Sequence, residues 1–297
     1  MLINSENLRA FGIASSAAFQ RGLGRAVSQR AIVATEVPSG TGQNEYGWLG
    51  KFPRMREWLG DRVINQMAAF KYAIANKDWE STIEVDRNDL EDDNIGIYAP
   101  LFEEMGMSSE THPDELVFAL LKAGFTTNCY DGQYYFDTDH LVLDAAGQPT
   151  SVANTDGGAG APWFLIDDSR ALKPIIFQKR KAAQMVSKDS PTDDNVFARK
   201  KFLYGVDARY NVGFGFWQFA WGSKQTLDAA HYAAARAALS GMVGDYGRPL
   251  GIRPTKLIVP PALEGAARKI LNNEYSAGGE TNEWKGTAEL VVVPWLA

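Results

Sequence analysis

The clearest alternation of apolar and polar side chains lies between residues 72 and 86. Its inward positions are Tyr72, Ile74, Trp79, Ser81, Ile83 and Val85. A period of two predicts a half-buried strand. Together with residues 46–71 upstream, this strand predicts a long two-stranded excursion whose turn lies between Gly60 and Ala69.

Two helices are predicted next along the chain. The first is capped by Asp93 or Asn94 and carries Pro100 in its first turn, where proline is tolerated. The second begins at Pro113 and ends at Gly124, because proline suits the first helical position and glycine suits the position after the end. The first 45 residues are instead rich in Ser, Ala, Gly, Thr and Gln, and predict a partly extended arm, either solvated or ordered by a partner.

The second half of the chain mixes strand and helix patterns. Gly and Pro residues between 144 and 162 predict a boundary or a mobile loop. Apolar runs predict strands at 163–166, 173–178, 256–259 and 289–293, and helices at 227–242 and 261–271. Because strands and helices do not alternate regularly, the predicted fold class is α+β.

Composition excludes several classes of protein. The 297 residues are 45% hydrophobic and 22% charged, as in ordinary globular proteins, and the net charge of -6 argues against a general nucleic-acid binder. Cys129 is the only cysteine, which excludes an intramolecular disulfide and a zinc site built from several cysteines. With three histidines, no complete nucleotide-binding motif and no long apolar segment, we predict no metal, no cofactor and no membrane contact.

Charge and aromatic residues are concentrated around the predicted excursion. Residues 50–77 carry six cations against two acids, whereas residues 78–93 carry eight acids against one arginine. Three alternatives stay open: the two blocks pair within a hairpin, they pair between copies, or they form two solvated faces. An isolated hairpin is at best marginally stable, and large aromatic rings need a surface to cover. That surface is either the rest of the same chain or an adjacent subunit.

One cluster resembles the ingredients of an enzyme. It consists of Cys129, Asp131, Asp137, Asp139 and His140. A thiol, an imidazole and carboxylates can support nucleophilic catalysis when the base lies within hydrogen-bond reach of the nucleophile. A small buried thiol beside a hydrogen-bonded turn is the favoured interpretation, because free cysteine is among the most buried residue types.

Six segments carry a family resemblance. They are YGWLGKFPRMREWLGDR (46–62), IANKDWE (74–80), LEDDNIGIYAPLFEEMG (90–106), HPDELVFALLKAGF (112–125), CYDGQYYFDTDH (129–140) and KLIVPPALEGAARKILN (256–272). These segments closely resemble the major head subunit of Mu-like phages and prophages, and the similarity extends from about Phe19 to Leu296. The resemblance implies the tailed-phage major capsid fold. It also implies a non-enzymatic protein, expected to form pentamers and hexamers of an icosahedral shell around phage double-stranded DNA.

The resemblance also implies a division of the chain. Residues 1–45 are the N-terminal arm, 46–86 the extended two-stranded loop, 87–140 the spine helix with the peripheral domain, and 141–297 the axial domain. The return of the C-terminus to the peripheral domain is expected to be short or absent. With no long N-terminal extension to act as a fused scaffold, a separate scaffold protein and protease are expected.

The expected contacts follow from the same resemblance. The candidates for contact with a neighbouring subunit are Trp48, Phe52, Arg54, Arg56, Trp58, Phe70, Tyr72 and Trp79. The candidates for arm contacts with DNA or capsomers are Arg9, Arg21, Arg25 and Arg30. Further expected partners are a portal, decoration proteins and packaged DNA. The expected location of the protein is the virion capsid and, during assembly, the host cytoplasm. Two alternatives stay open: an encapsulin-like nanocompartment shell, and a cysteine-dependent enzyme using Cys129 and His140.

Overall fold

The computed structural model of the chain describes residues 3–49, 72–92, 95–276 and 278–297. Its helices are α1 (Ser5–Arg25), α2 (Arg30–Val33), α3 (Arg87–Glu91), α4 (Ala99–Ala123), α5 (Asp194–Arg199), α6 (Ala229–Ser240) and α7 (Glu264–Leu271). Its strands are β1 (Ala34–Pro38), β2 (Gln43–Glu45), β3 (Ala73–Ala75), β4 (Lys77–Asp86), β5 (His140–Leu143), β6 (Pro149–Val152), β7 (Thr155–Gly158), β8 (Trp163–Ile166), β9 (Ile175–Lys188), β10 (Lys201–Phe214), β11 (Ala220–Lys224), β12 (Val243–Gly244), β13 (Arg248–Pro249), β14 (Lys256–Val259) and β15 (Glu289–Val292). The mixture confirms the α+β class.

A four-stranded sheet has the order β1-β9-β10-β4. Its β1 runs parallel to β9, and the other pairs are antiparallel. The alternating residues 77–86 do form a strand, as predicted, but that strand pairs with β10, so the prediction that they form one arm of a two-stranded excursion is wrong. Upstream of β4, β3 pairs antiparallel with β2. The predicted turn between Gly60 and Ala69 lies outside the described residues.

The four-stranded sheet draws its strands from three of the four predicted segments of the chain. It takes β1 from the predicted arm, β4 from the predicted loop, and β9 and β10 from the predicted axial domain. Long-range pairing of this kind has no local sequence signature, because hydrogen-bonded partners can stand more than a hundred residues apart. The 14-residue strand β10 was missed entirely by the sequence analysis.

A five-stranded sheet has the order β15-β14-β8-β11-β7. The parallel pair β14 and β15, joined through α7, confirms the strands predicted at 256–259 and 289–293 and the helix predicted at 261–271. The predicted strand at 163–166 and the predicted helix at 227–242 are present as β8 and α6. The predicted loop at 144–162 is wrong in part, because β6 and β7 lie within it.

Residues 99–123 form one helix, α4, so the predicted pair of helices is wrong. Pro113 lies inside α4 rather than at a start, and Pro100 and Gly124 occupy the first turn and the C-cap as predicted. A proline inside a helix removes one backbone hydrogen bond. Packing on both sides of Pro113 compensates, because α4 buries Phe102 in one apolar cluster and Phe118 in another.

Residues 5–25 form helix α1, so the prediction of a partly extended N-terminal arm is wrong for them. The buried residues of α1 are Leu8, Phe11, Ser15, Ala18, Phe19 and Gly22, spaced as one helical face. Ser, Ala and Gly dilute the apolar signal of this face in the sequence. The Asn4 side chain caps the helix by accepting a hydrogen bond of 2.8 Å from the backbone N–H of Asn7.

Two apolar clusters form the core of the described residues. The larger surrounds the five-stranded sheet and takes Val117, Phe118 and Leu121 from the end of α4. The smaller joins α1, the first half of α4 and one end of the four-stranded sheet. Because α4 and β10 contribute to both clusters, they form the structural link between them. None of the helices described here has both the length and the apolarity needed to cross a membrane.

Candidate intersubunit surfaces and the Cys129 cluster

Trp48 and Tyr72, two predicted contacts with a neighbouring subunit, have contacts within their own chain. The ring of Trp48 lies 5.7 Å from the ring of Phe216, centroid to centroid. The hydroxyl of Tyr72 accepts a hydrogen bond of 2.7 Å from the backbone N–H of Phe214, and burial raises the pKa of Tyr72 to about 12. Of the two surfaces expected to cover these rings, the one seen for Trp48 and Tyr72 belongs to their own chain.

Trp79 is half-buried against its own subunit. Its indole N–H donates a hydrogen bond of 3.0 Å to the backbone carbonyl of Tyr210, and its ring lies 4.5 Å from the imidazole of His112. Contact of Trp48, Tyr72 and Trp79 with a neighbouring subunit stays a prediction. The other predicted contacts lie outside the described residues: Phe52, Arg54, Arg56, Trp58 and Phe70.

Replacing Trp79 with alanine is expected to destabilise the unassembled subunit by about 2 kcal/mol, because the ring is removed from a half-buried site. Chemical denaturation of the soluble subunit measures this. Phe197→Ala serves as the control, because Phe197 is 88% exposed and its removal should change stability by less than about 0.5 kcal/mol. Equal stability of Trp79→Ala and the parent would mean that Trp79 acts only on a neighbour.

Among the arm arginines, Arg30 is engaged within the chain. Its guanidinium lies 3.0 Å from a carboxylate oxygen of Asp114 and also pairs with Glu110. Burial opposes the charge of Arg30, but the hydrogen bonds to Glu110 and Asp114 outweigh it and raise the pKa. We therefore assign Arg30 a role in holding its own subunit together.

Asp114 is the residue that the sequence analysis missed. Its carboxylate is fully buried and accepts hydrogen bonds from the Ser28 hydroxyl at 2.7 Å and from the backbone N–H of Gln29 at 2.5 Å. It also accepts bonds from the backbone and side chain of Arg30. One side chain of α4 thus fixes the link between α1 and β1. In the sequence it looks like an ordinary acid of a first helical turn.

The other arm arginines lie at the surface. Arg21 and Arg25 both pair with Glu103 of α4, and Arg9 is exposed on α1. Ion pairs this exposed contribute about 0 to 1 kcal/mol each. Contact of Arg9, Arg21 and Arg25 with DNA or another capsomer stays a prediction.

The acidic block predicted to pair with the basic block has partners in β10. Asp78 lies 3.3 Å from the guanidinium of Arg209, and Lys201 lies 2.9 Å from Glu84 and 3.1 Å from Asp86. Several acids of β4 are therefore neutralised across the four-stranded sheet. None of the three alternatives stated for the two charge blocks included this pairing.

The Cys129 cluster is assembled in the loop between α4 and β5. The Cys129 thiol lies 3.0 Å from Oδ1 of Asp131, and Nδ1 of His140 lies 2.7 Å from Oδ2 of the same carboxylate. Burial and the neighbouring Asp131 raise the pKa of Cys129 well above its usual value. Burial opposes ionisation of Asp131, but hydrogen bonds with His140 and Cys129 outweigh it and lower its pKa. The carboxylate stands between thiol and imidazole, so the imidazole is not placed to activate the thiol.

The whole-chain comparison decides the family. A family model described as "Mu-like prophage major head subunit gpT" matches residues 8–296. The chain belongs to the Mu-like major head subunit family. This family is structural and not enzymatic, which confirms the expected non-enzymatic role and removes the cysteine-dependent enzyme as an alternative.

Curated relatives of this head subunit cover most or all of its length. The "Major capsid protein" of Escherichia phage Mu is 44% identical over 305 residues, which cover 100% of both chains. The "Mu-like prophage FluMu major head subunit" of Haemophilus influenzae is 46% identical over 266 residues, covering 87% of this chain and 86% of the relative.

Solved head structures share the fold of this head subunit. The procapsid of bacteriophage JBD30 matches with a TM-score of 0.89 and 44% identity, covering 99% of this chain and 100% of the other. The JBD30 capsid matches with a TM-score of 0.78 and 34% identity, covering 94% of each chain. These matches confirm the predicted tailed-phage major capsid fold.

Proposed function

We propose that this head subunit assembles into pentamers and hexamers that close into an icosahedral shell around phage double-stranded DNA. The full-length match to a procapsid structure, with a TM-score of 0.89, carries the proposal. Many modest contacts per subunit make a closed shell stable while each contact alone stays reversible. The nanocompartment alternative has no comparable support, because the whole-chain family match is to phage head subunits.

An exposed aromatic side chain supports contacts between copies. Phe197 lies on α5, at the end of the long hairpin of β9 and β10, and 88% of it is exposed. An aromatic side chain this exposed gains little in its own subunit, whereas burial in an interface would contribute to association. We therefore place Phe197 in contact with a neighbouring subunit in the shell.

Replacing Phe197 with serine is expected to reduce shell formation and to leave the stability of the unassembled subunit within about 0.5 kcal/mol of the parent. Electron microscopy and sedimentation of the purified protein measure assembly, and chemical denaturation measures stability. Phe197→Tyr keeps the ring and should assemble normally. Shells from Phe197→Ser at the parent's yield would contradict the role of Phe197. A parent protein that stays monomeric at high concentration would contradict the proposed function itself.

The remaining partners belong to the same proposal. A separate scaffold protein and a portal would act during assembly in the host cytoplasm, and decoration proteins would bind the finished shell. One solved JBD30 capsid is decorated with minor capsid protein trimers, which supports the last of these. Packaged DNA would contact the inner face without sequence preference, with Arg9, Arg21 and Arg25 as candidates. The division of the chain at 1–45, 46–86, 87–140 and 141–297 stays a prediction.

A further inference from the structure

The loop between α4 and β5 brings three different donor groups to one point. The Cys129 sulfur, a carboxylate oxygen of Asp131 and a ring nitrogen of His140 all lie within 4.8 Å of one another. Cys129 is 6% exposed and His140 is fully buried. No other group of this kind occurs among the residues that the structure describes.

Neighbouring groups hold these side chains in place. The ring of His140 stacks on Trp217 at 4.0 Å and 7°, and its Nε2 faces the backbone carbonyl of Tyr135 at 3.3 Å. The backbone N–H of Gln133 donates a hydrogen bond of 3.1 Å to Asp131. Metal-binding histidines commonly have their second ring nitrogen at a backbone carbonyl, and their carboxylate neighbours are themselves hydrogen-bonded.

The hydrogen-bond inventory of His140 indicates a cation. Nδ1 faces a carboxylate oxygen of Asp131, and Nε2 faces the carbonyl oxygen of Tyr135, so both ring nitrogens lie opposite atoms that only accept. A neutral imidazole carries one N–H and can satisfy one of them. If Nε2 carries the N–H and donates to Tyr135, Nδ1 faces the Asp131 carboxylate without a proton. That place suits a positive charge, either a second ring proton or a metal ion bound to Nδ1.

We propose that Cys129, Asp131 and His140 form a binding site for a divalent transition-metal ion of the zinc class. Sulfur, imidazole nitrogen and carboxylate oxygen are the donors that zinc takes in proteins, whereas calcium and magnesium take oxygen alone. The side chain of Asp131 is 16% exposed, so a water molecule can complete the coordination from that side. The ion would tie the loop after α4 to the start of β5, contrary to the sequence-based expectation of no metal.

Cobalt(II) titration of the purified full-length protein tests the site. After dialysis against a chelator, the parent is expected to bind about one cobalt ion per chain, with a thiolate-to-cobalt charge-transfer band that zinc abolishes. Cys129→Ser should lose that band and weaken binding by about tenfold or more, as expected for loss of a ligand. Asp139→Asn, which changes an exposed acid beside His140, should bind like the parent.

Two measurements on the parent protein keep the outcome independent of how the variants fold. Elemental analysis of shells purified without chelator should find the metal, and chelator treatment should lower the midpoint of thermal unfolding. A parent with no thiolate band in the cobalt titration would overturn the proposal.

Discussion

Replacing Asp114 with alanine is expected to lower the free energy of unfolding of the unassembled subunit by about 3 to 5 kcal/mol. The carboxylate is fully buried, and its removal leaves the guanidinium of Arg30 without its buried partner. The Ser28 hydroxyl and the backbone N–H of Gln29 lose their acceptor at the same time. Each buried donor left without an acceptor lowers the free energy of unfolding by about 1 to 3 kcal/mol. The substitution has a large expected effect because it affects several donors at once.

Chemical denaturation of the soluble subunit measures the effect of Asp114→Ala, and sedimentation shows whether capsomers still form. Glu110→Gln is the matched control, because Glu110 also pairs with Arg30 but its side chain is 33% exposed. Loss of the Glu110 charge should lower the free energy of unfolding by about 1 kcal/mol or less. If the two variants lost equal free energy of unfolding, burial of Asp114 would not increase its contribution to stability.

Replacing Gly22 with alanine is expected to separate α1 from α4 and to destabilise the subunit by about 3 kcal/mol. A Cβ atom at Gly22 would lie well inside 3.0 Å of the backbone carbonyl of Glu103, and a Cβ at Gly106 would meet the backbone of α1 in the same way. Backbone atoms inside two packed helices cannot move aside as a flexible side chain can. The two glycines thus allow α1 and α4 to approach closely.

The control for this close approach lies in the same helix. Gly24 is exposed on α1, and a Cβ there would meet nothing within 4 Å. Gly24→Ala should therefore stabilise the subunit by up to about 1 kcal/mol, since alanine is the better helix former. Thermal unfolding of Gly22→Ala, Gly106→Ala and Gly24→Ala separates the two effects. A Gly22→Ala variant as stable as Gly24→Ala would show that α1 and α4 can accommodate a Cβ atom between them.

Elements defined by a local period or a local cap could be predicted from the sequence. The strand at 77–86, the helix α6 and the parallel strands β14 and β15 follow from the spacing of apolar residues. The stop at Gly124 follows from the preference of glycine for the end of a helix. The partners of these elements could not be predicted in the same way, as β4 illustrates by pairing with β10 rather than with the predicted excursion.

The candidate contacts show the same limit. The aromatic density around Trp48 and Trp79 correctly indicated that these rings need cover, and the described cover comes from their own subunit. Cys129, Asp131 and His140 were grouped because they stand close in the sequence. Whether they form a catalytic base and nucleophile or a shared site depends on distances of a few ångströms, which only the folded loop defines.

The sequence by itself determined the family, the α+β class and the elements with a clear period. Tertiary structure decided that the N-terminal segment is a docked helix, that α4 continues through Pro113, and that Arg30 serves its own subunit. The physical reason is separation along the chain. Arg30 and Asp114 stand 84 residues apart, and no local pattern records that a buried carboxylate will meet that arginine. Such contacts exist only once the helices and sheets have packed.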